Sequence, residues 1–163
     1  MTLDAFARHH QPLERYLTRL TGDPDLAADL AQESFVRLLS QDTPPTAVKP
    51  WLFRVATNLV RDSARSSRRR QVLAFHSRAP AVHGDPPPGP DFEVDRQHAR
   101  CLVWRALDPL SSKERTALLM REEGFRHREI AEALGTTTGS VGTLLGRAIR
   151  KAAKHLEMLQ EES

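Results

Sequence analysis

The sequence predicts an all-α protein made of two small helical domains joined by a flexible, proline-rich linker. Three observations carry this. Apolar residues recur at three- and four-residue spacing along most of the chain, the period of a helix with one buried face. The composition is 39% hydrophobic but only 6% aromatic, which suits aliphatic helix packing better than an aromatic, β-rich core. Residues 76–91, HSRAPAVHGDPPPGPD, hold five prolines and two glycines, a composition that builds no core. The chain of 163 residues therefore divides into a domain at 1–75, a linker at 76–92 and a domain at 93–163. Extended at about 3.1 Å per residue, the linker spans on the order of 50 Å.

The first predicted helix covers 3–21. Leu3, Phe6, Leu13, Leu17 and Leu20 give it an apolar stripe, and Gly22 marks its end. Pro12 lies inside the pattern, where a kink or break is expected. His9 and His10 are adjacent, so they point about 100° apart and make a poor metal pair. The second helix, 25–39, is amphipathic. Leu26, Leu30, Phe35, Leu38 and Leu39 supply its apolar side, and Asp29, Gln32 and Glu33 face away. Asp23 or Asp25 can cap its start. By composition alone, the acidic side reads as an ordinary solvated face.

Residues 41–49, QDTPPTAVK, form a loop, because adjacent prolines bar a helix. A long helix follows at 51–70 with Pro50 near its first turn. Trp51, Val55, Leu59 and Leu52 are expected inside, with Asn58, Arg61, Asp62 and Arg65 on the other sides. Its arginine-dense end suits either the negative helix terminus or phosphates. After the linker, helix resumes over 92–107. Cys101 is expected to be a small buried packer, and Trp104 to pack in the core or between domains. Pro109 stops that helix. Ser111 and Glu114 then form a capping box, so the next helix starts near Ser112 and ends at Gly124.

Residues 127–150, HREIAEALGTTTGSVGTLLGRAIR, are the stretch that the rest serves. Ile130, Ala131 and Leu134 share one face of a short helix, and Gly135 ends it. Thr137 is the best N-cap for a second helix, on which Val141, Leu145 and Ala148 recur. That second helix can run on through Lys154 and Leu159. The spacing is that of a helix-turn-helix, whose second helix enters the major groove of DNA, though a helical hairpin in a bundle has the same pattern.

Other function classes find little support. Net charge is +3, but arginines crowd 61–70 and cations gather again at Arg147, Arg150, Lys151 and Lys154. Acid gathers at 23–33, so separate surfaces for separate partners are expected. A single cysteine excludes an internal disulfide. No run approaches the ~18 apolar residues of a membrane span, so no membrane insertion is expected. No secretory signal is visible at the start, and the lone cysteine fits a reducing compartment, so a cytoplasmic location is expected. No phosphate-cradling glycine loop, metal-ligand spacing or catalytic Ser, Cys or His arrangement appears, so no enzyme activity, cofactor or metal is expected.

Taken together, the two halves resemble a bacterial RNA polymerase sigma factor of the extracytoplasmic-function (ECF) group, within the sigma-70 family. Asp29-Leu30-Ala31-Gln32-Glu33-Ser34-Phe35-Val36-Arg37-Leu38 is similar to that family's D-L-V-Q-E-T-F-L-R-L signature. Residues 51–56, Asn58-Leu59, Asp62 and the arginines resemble its promoter-melting helix. Pro109-Leu110, the Ser111 box, Glu129-Ile130-Ala131 and Leu134-Gly135 resemble its C-terminal domain. The resemblance implies that Asp29, Gln32, Glu33, Phe35 and Arg37 bind core polymerase at the clamp helices of β′. It implies that Trp51, Arg54, Asn58, Arg61, Asp62, Arg65, Arg68 and Arg69 hold the separated −10 strand. Thr137, Thr138, Ser140, Thr143, Arg147, Arg150 and Lys151 would serve the −35 element. Further implied partners are the β flap, promoter DNA and an anti-sigma factor. A stand-alone helix-turn-helix regulator is the alternative; it accounts for 127–150 but not for the 29–38 signature.

The chain departs from the family at its recognition helix. Gly142 and Leu144 stand where a lysine and an arginine are common, Gly146 where a polar residue is usual, and Arg126 where a serine cap is usual. Two interior glycines cost roughly 2 kcal/mol of helix stability relative to alanine. Weak −35 affinity is the expectation, unless the glycines admit the DNA backbone or a partner closely.

Overall fold

The computed structural model describes residues 2–73 and 91–162, and all regular structure among them is helical. Helices α1 (Thr2–Thr21), α2 (Pro24–Leu39) and α3 (Val48–Leu73) form the N-terminal half. Helices α4 (Asp91–Ala106), α5 (Ser112–Glu122), α6 (His127–Leu134) and α7 (Thr138–Glu161) form the C-terminal half. The expected linker lies outside the described residues, except that its last two positions, 91 and 92, already belong to α4.

Helix α1 runs through Pro12 without the expected break. Proline removes one backbone donor at a cost of about 3 kcal/mol. Full burial of Leu13, Tyr16 and Leu17 just beyond it offsets that cost. Gly22, at φ 71°, ends the helix in a left-handed turn, where its N–H bonds to the Thr18 carbonyl at 2.8 Å. Asp23, not Asp25, caps α2: its carboxylate accepts from the N–H groups of Asp25 at 3.0 Å and Leu26 at 3.1 Å.

The inner face of α2 is Ala27, Ala31, Ser34, Phe35 and Leu38. Leu26 and Leu30, expected inside, are only half-buried, and Leu39 is exposed. Fully buried Ala27 and Ala31 leave little bulk between α2 and its neighbours α1 and α3, so the leucines lie at the margins of the contact.

In α3 the buried face is Leu52, Phe53, Ala56, Thr57 and Leu59. Trp51 and Val55, expected at its centre, are half-buried beside it. The stretch is apolar over more than one face because α3 packs on two sides, against α1 and α2 and against α6. Thr57 donates its hydroxyl proton to the Phe53 carbonyl at 2.7 Å, so Tyr16 donates to Thr57 across 2.8 Å. Burial pushes the Tyr16 phenol well above its ordinary pKa.

The C-terminal half packs α4, α5 and α6 on the long helix α7. Cys101 is exposed rather than buried, because α4 meets α7 along another face. Trp104 is half-buried. The core does not stop at either half: one continuous cluster runs from Leu13 and Phe53 through Met120 and Phe125 to Leu145.

Candidate nucleic-acid interface

The helix-turn-helix is built from local hydrogen bonds. Arg126 has no acceptor to offer as an N-cap, so α6 is closed at its start by Glu129, whose carboxylate accepts the Arg126 N–H at 2.8 Å. Gly135, at φ 63°, closes its end, and the Thr136 N–H reaches back to the Ala131 carbonyl at 3.0 Å. Thr137 caps α7, accepting from the Ser140 N–H at 3.2 Å, and the two hydroxyls meet at 2.9 Å. Ile130, Ala131, Leu134, Val141 and Leu145 are buried between α6 and its neighbours. The open side of α7 is then Thr138, Gly139, Gly142 and Thr143, all exposed.

That side is short and uncharged. A Cβ on Gly139 or Gly142 would meet nothing within 4 Å. Nothing in the chain's own packing therefore demands glycine there, and neither has positive φ. Gly142→Lys should tighten binding to −35 DNA and steepen its salt slope by about 0.9. An unchanged affinity in a titration across salt concentrations would show that missing charge is not what limits this helix.

Two cations expected to serve the −35 element have a carboxylate beside them. Lys151 Nζ lies 2.9 and 3.0 Å from the carboxylate oxygens of Glu114, and Arg147 Nε is 4.0 Å from it. Glu114 is only 2% exposed. It also completes the predicted box, accepting the Ser111 N–H at 2.9 Å and donating its own N–H to the Ser111 hydroxyl at 3.2 Å. The Ser111 N–H, and after it Lys151, hold this carboxyl below the usual glutamate range. The stability it lends is thus complete above the ordinary glutamate pKa and is lost as pH falls through the lowered one. Glu114→Gln should cost about 1–3 kcal/mol at neutral pH and flatten the acid limb of a pH–stability curve. A variant with the wild-type acid limb would contradict that role. Arg150 is exposed too.

On α2, Asp29, Gln32, Glu33 and Arg37 are exposed, with Glu33 and Arg37 paired at 2.9 Å. Phe35 points inward instead, 4% exposed, with its ring tilted 58° to that of Phe6 at 5.0 Å. Exposed Val36 and Leu39 border the charged residues. On α3, Arg54, Asn58, Asp62 and Arg65 are exposed. Arg61 is half-buried, and its guanidinium reaches the Leu134 carbonyl at 3.5 Å. Arg68 and Arg69 lie on α3, but their side chains fall outside the described residues. Trp51 and Arg54 line one cleft with Glu129 and Glu132 of α6.

The residues that fasten the two halves were not singled out in the sequence. Arg15 pairs with Glu123 at 3.2 Å and Arg19 with Glu122 at 2.9 Å. Lys49 donates to the Glu123 carbonyl at 2.9 Å and lies 5.0 Å from the Phe125 ring centroid. Phe53 lies between Tyr16 and Phe125, with ring centroids 5.0 and 4.9 Å away and the rings tilted by 46° and 54°. The available signal was Phe125 itself, a large apolar residue placed directly after the helix-ending Gly124.

A helix-turn-helix packed on a helical half that bears an arginine-rich helix is an arrangement suited to a DNA-binding protein. The comparisons carry this further. Residues 5–70 match the family Sigma-70 region 2, and residues 102–151 match Sigma-70, region 4. The ECF RNA polymerase sigma factor SigL of Mycobacterium tuberculosis is 34% identical over 161 residues, covering 94% of this chain and 88% of that one. The RNA polymerase sigma factor CarQ of Myxococcus xanthus is 30% identical over 164 residues, covering 98% and 91%. The structure of the sigma factor RpoE of Bartonella quintana, in complex with the anti-sigma factor NepR, overlays with a TM-score of 0.74. That likeness covers 93% of this chain and 94% of that one, at 20% identity, and speaks for the fold.

The chain belongs to the ECF group of RNA polymerase sigma factors. It directs promoter-specific transcription initiation and carries out no bond chemistry itself. The stand-alone regulator is not favoured, since region 2 matches as well as region 4. Among the described residues, no helix is long and apolar enough to cross a membrane.

Proposed function

We propose that each half of this sigma factor has its own contact. Asp29, Gln32, Glu33 and Arg37 on α2 dock on the clamp helices of polymerase β′, with buried Phe35 setting the helix against α1. Helix α3 holds the separated −10 strand through Trp51, Arg54, Asn58, Arg61, Asp62, Arg65, Arg68 and Arg69. The start of α7 reads the −35 element through Thr137, Thr138, Ser140 and Thr143, and Arg147, Arg150 and Lys151 flank it towards phosphate. The functional units are 1–75 and 93–163, with 76–92 as the flexible link. Region 4 also meets the β flap, the protein works in the cytoplasm, and an anti-sigma factor restrains it.

The observation that supports this most is the outer face of α2. Charged Asp29 and Glu33 stand beside exposed, apolar Val36 and Leu39 on a helix whose other face is fully packed. Such a mixed face, uncovered by any of the described residues, suits a protein partner. The NepR complex of the RpoE neighbour supports the anti-sigma partner. Capture of core polymerase by immobilised chain tests the docking assignment: reversing charge on this face releases the enzyme, and retention would overturn it.

A further inference from the structure

The buried carboxylate of Glu114 lies where α5 begins, against the flank of α7 that carries Arg147 and Lys151 one turn apart. Its two oxygens accept from the Lys151 ammonium at 2.9 and 3.0 Å, and one of them also accepts from the Ser111 N–H at 2.9 Å. The carboxylate is out of water and the lysine is not: the two side chains are 2% and 42% exposed.

That asymmetry decides which partner the lysine keeps. A lysine placed on a backbone phosphate is worth about fivefold in affinity at 0.15 M salt, from a salt slope of about 0.9. Taking the partner away from a buried ion costs far more than such a contact returns. Phosphate therefore does not draw Lys151 off Glu114, and the pair as it stands has no net charge to offer DNA. The open side of α7 beside it, Thr138, Gly139, Gly142 and Thr143, is uncharged as well.

We propose that Glu114 is an affinity-limiting positioning residue of the −35 reader: it holds Lys151 back from the DNA backbone, so that a phosphate contact carried by the chain is masked. This rests on the assignment of α7 to the −35 element. Glu114 itself touches no DNA and acts through the lysine.

Masking makes stability and binding move in opposite directions. Glu114→Gln keeps a side chain that accepts the Ser111 N–H in the capping box and removes the charge. The fold is expected to lose stability, and a purely structural role would then weaken DNA binding too. The proposal expects the reverse. Holoenzyme reassembled from core polymerase and the Glu114→Gln chain should bind a promoter duplex about fivefold more tightly at 0.15 M salt, with a salt slope steeper by about 0.9. The gain should be equal on a duplex scrambled at its −35 positions, because phosphate contacts carry no sequence information. Adding Lys151→Gln should abolish it. Lys151→Gln alone should leave the wild-type salt slope unchanged, a reading that does not depend on how well the Glu114 variant folds.

Equal or weaker binding by a folded Glu114→Gln holoenzyme overturns the proposal. So does a gain that survives the added Lys151→Gln, or a slope lowered by about 0.9 in Lys151→Gln alone. Failure of the underlying assignment has a different signature. In that case Thr143→Ala with Arg150→Gln leaves holoenzyme binding unchanged on intact and scrambled −35 duplexes alike.

Discussion

Glu33→Lys together with Asp29→Lys is expected to reduce capture of core polymerase at least tenfold while leaving the fold intact. Both side chains are exposed and neither supports a buried contact. The stability cost is confined to the exposed Glu33–Arg37 pair at 2.9 Å, worth about 0.3–0.5 kcal/mol on a helix surface. Across an interface the balance differs. Each reversal removes an attraction and installs a repulsion, and like charges brought together cost several kcal/mol. Circular dichroism and thermal melting check the fold; a pull-down with core enzyme checks the docking. Undiminished capture by a folded double variant would remove α2 as the docking face. Gln32→Ala, with no charge to reverse, is expected to have a smaller effect.

Phe53→Ala is expected to give the largest loss of stability of any single change in the chain. The ring is fully buried and lies between Tyr16 and Phe125 at centroid distances of 5.0 and 4.9 Å. Truncating a buried phenylalanine costs about 3–5 kcal/mol through lost transfer energy and the cavity left behind. Here the cavity opens where the halves meet, so the loss has a second consequence. Phe125 and Lys49 lose the surface they pack on, and the halves separate more readily. Denaturant melts should show a lower midpoint, and limited proteolysis should cut the variant faster between the halves. A loss under about 1 kcal/mol would show that the ring is not a packing centre.

What could be read from the sequence follows from the range of the forces involved. The capping box of Ser111 with Glu114, the left-handed turn at Gly135 and the Thr137 cap were all legible, because each is chemistry between residues a few positions apart. The order and type of the helices were legible for the same reason. Longer-range features were hidden. Periodicity assumes one packed side, so it misplaces the rotation of α3, whose apolar residues serve two neighbours. Cys101 was expected inside because small apolar residues usually are, yet α4 turns it outward. Lys151 has the sequence context of a phosphate contact, but Glu114, thirty-seven positions away, already holds its ammonium group. Nothing in the order of residues places Arg15 opposite Glu123 across 108 positions.

This also changes the meaning of the basic C-terminal end. With Lys151 and Arg147 beside Glu114 and glycines on the exposed side of α7, the positive charge this helix offers to −35 DNA is reduced. If α7 holds −35 DNA as weakly as proposed, promoter selection is expected to lean on α3 and on polymerase.

The direct measurement is transcription from a library of promoters randomised at both elements, using purified core polymerase with and without this chain. Added chain should produce discrete start sites whose templates share one −10 and one −35 preference, with the −10 positions the more sharply defined. Start sites that remain as scattered as with core enzyme alone, while the chain is shown to be folded, would contradict the account.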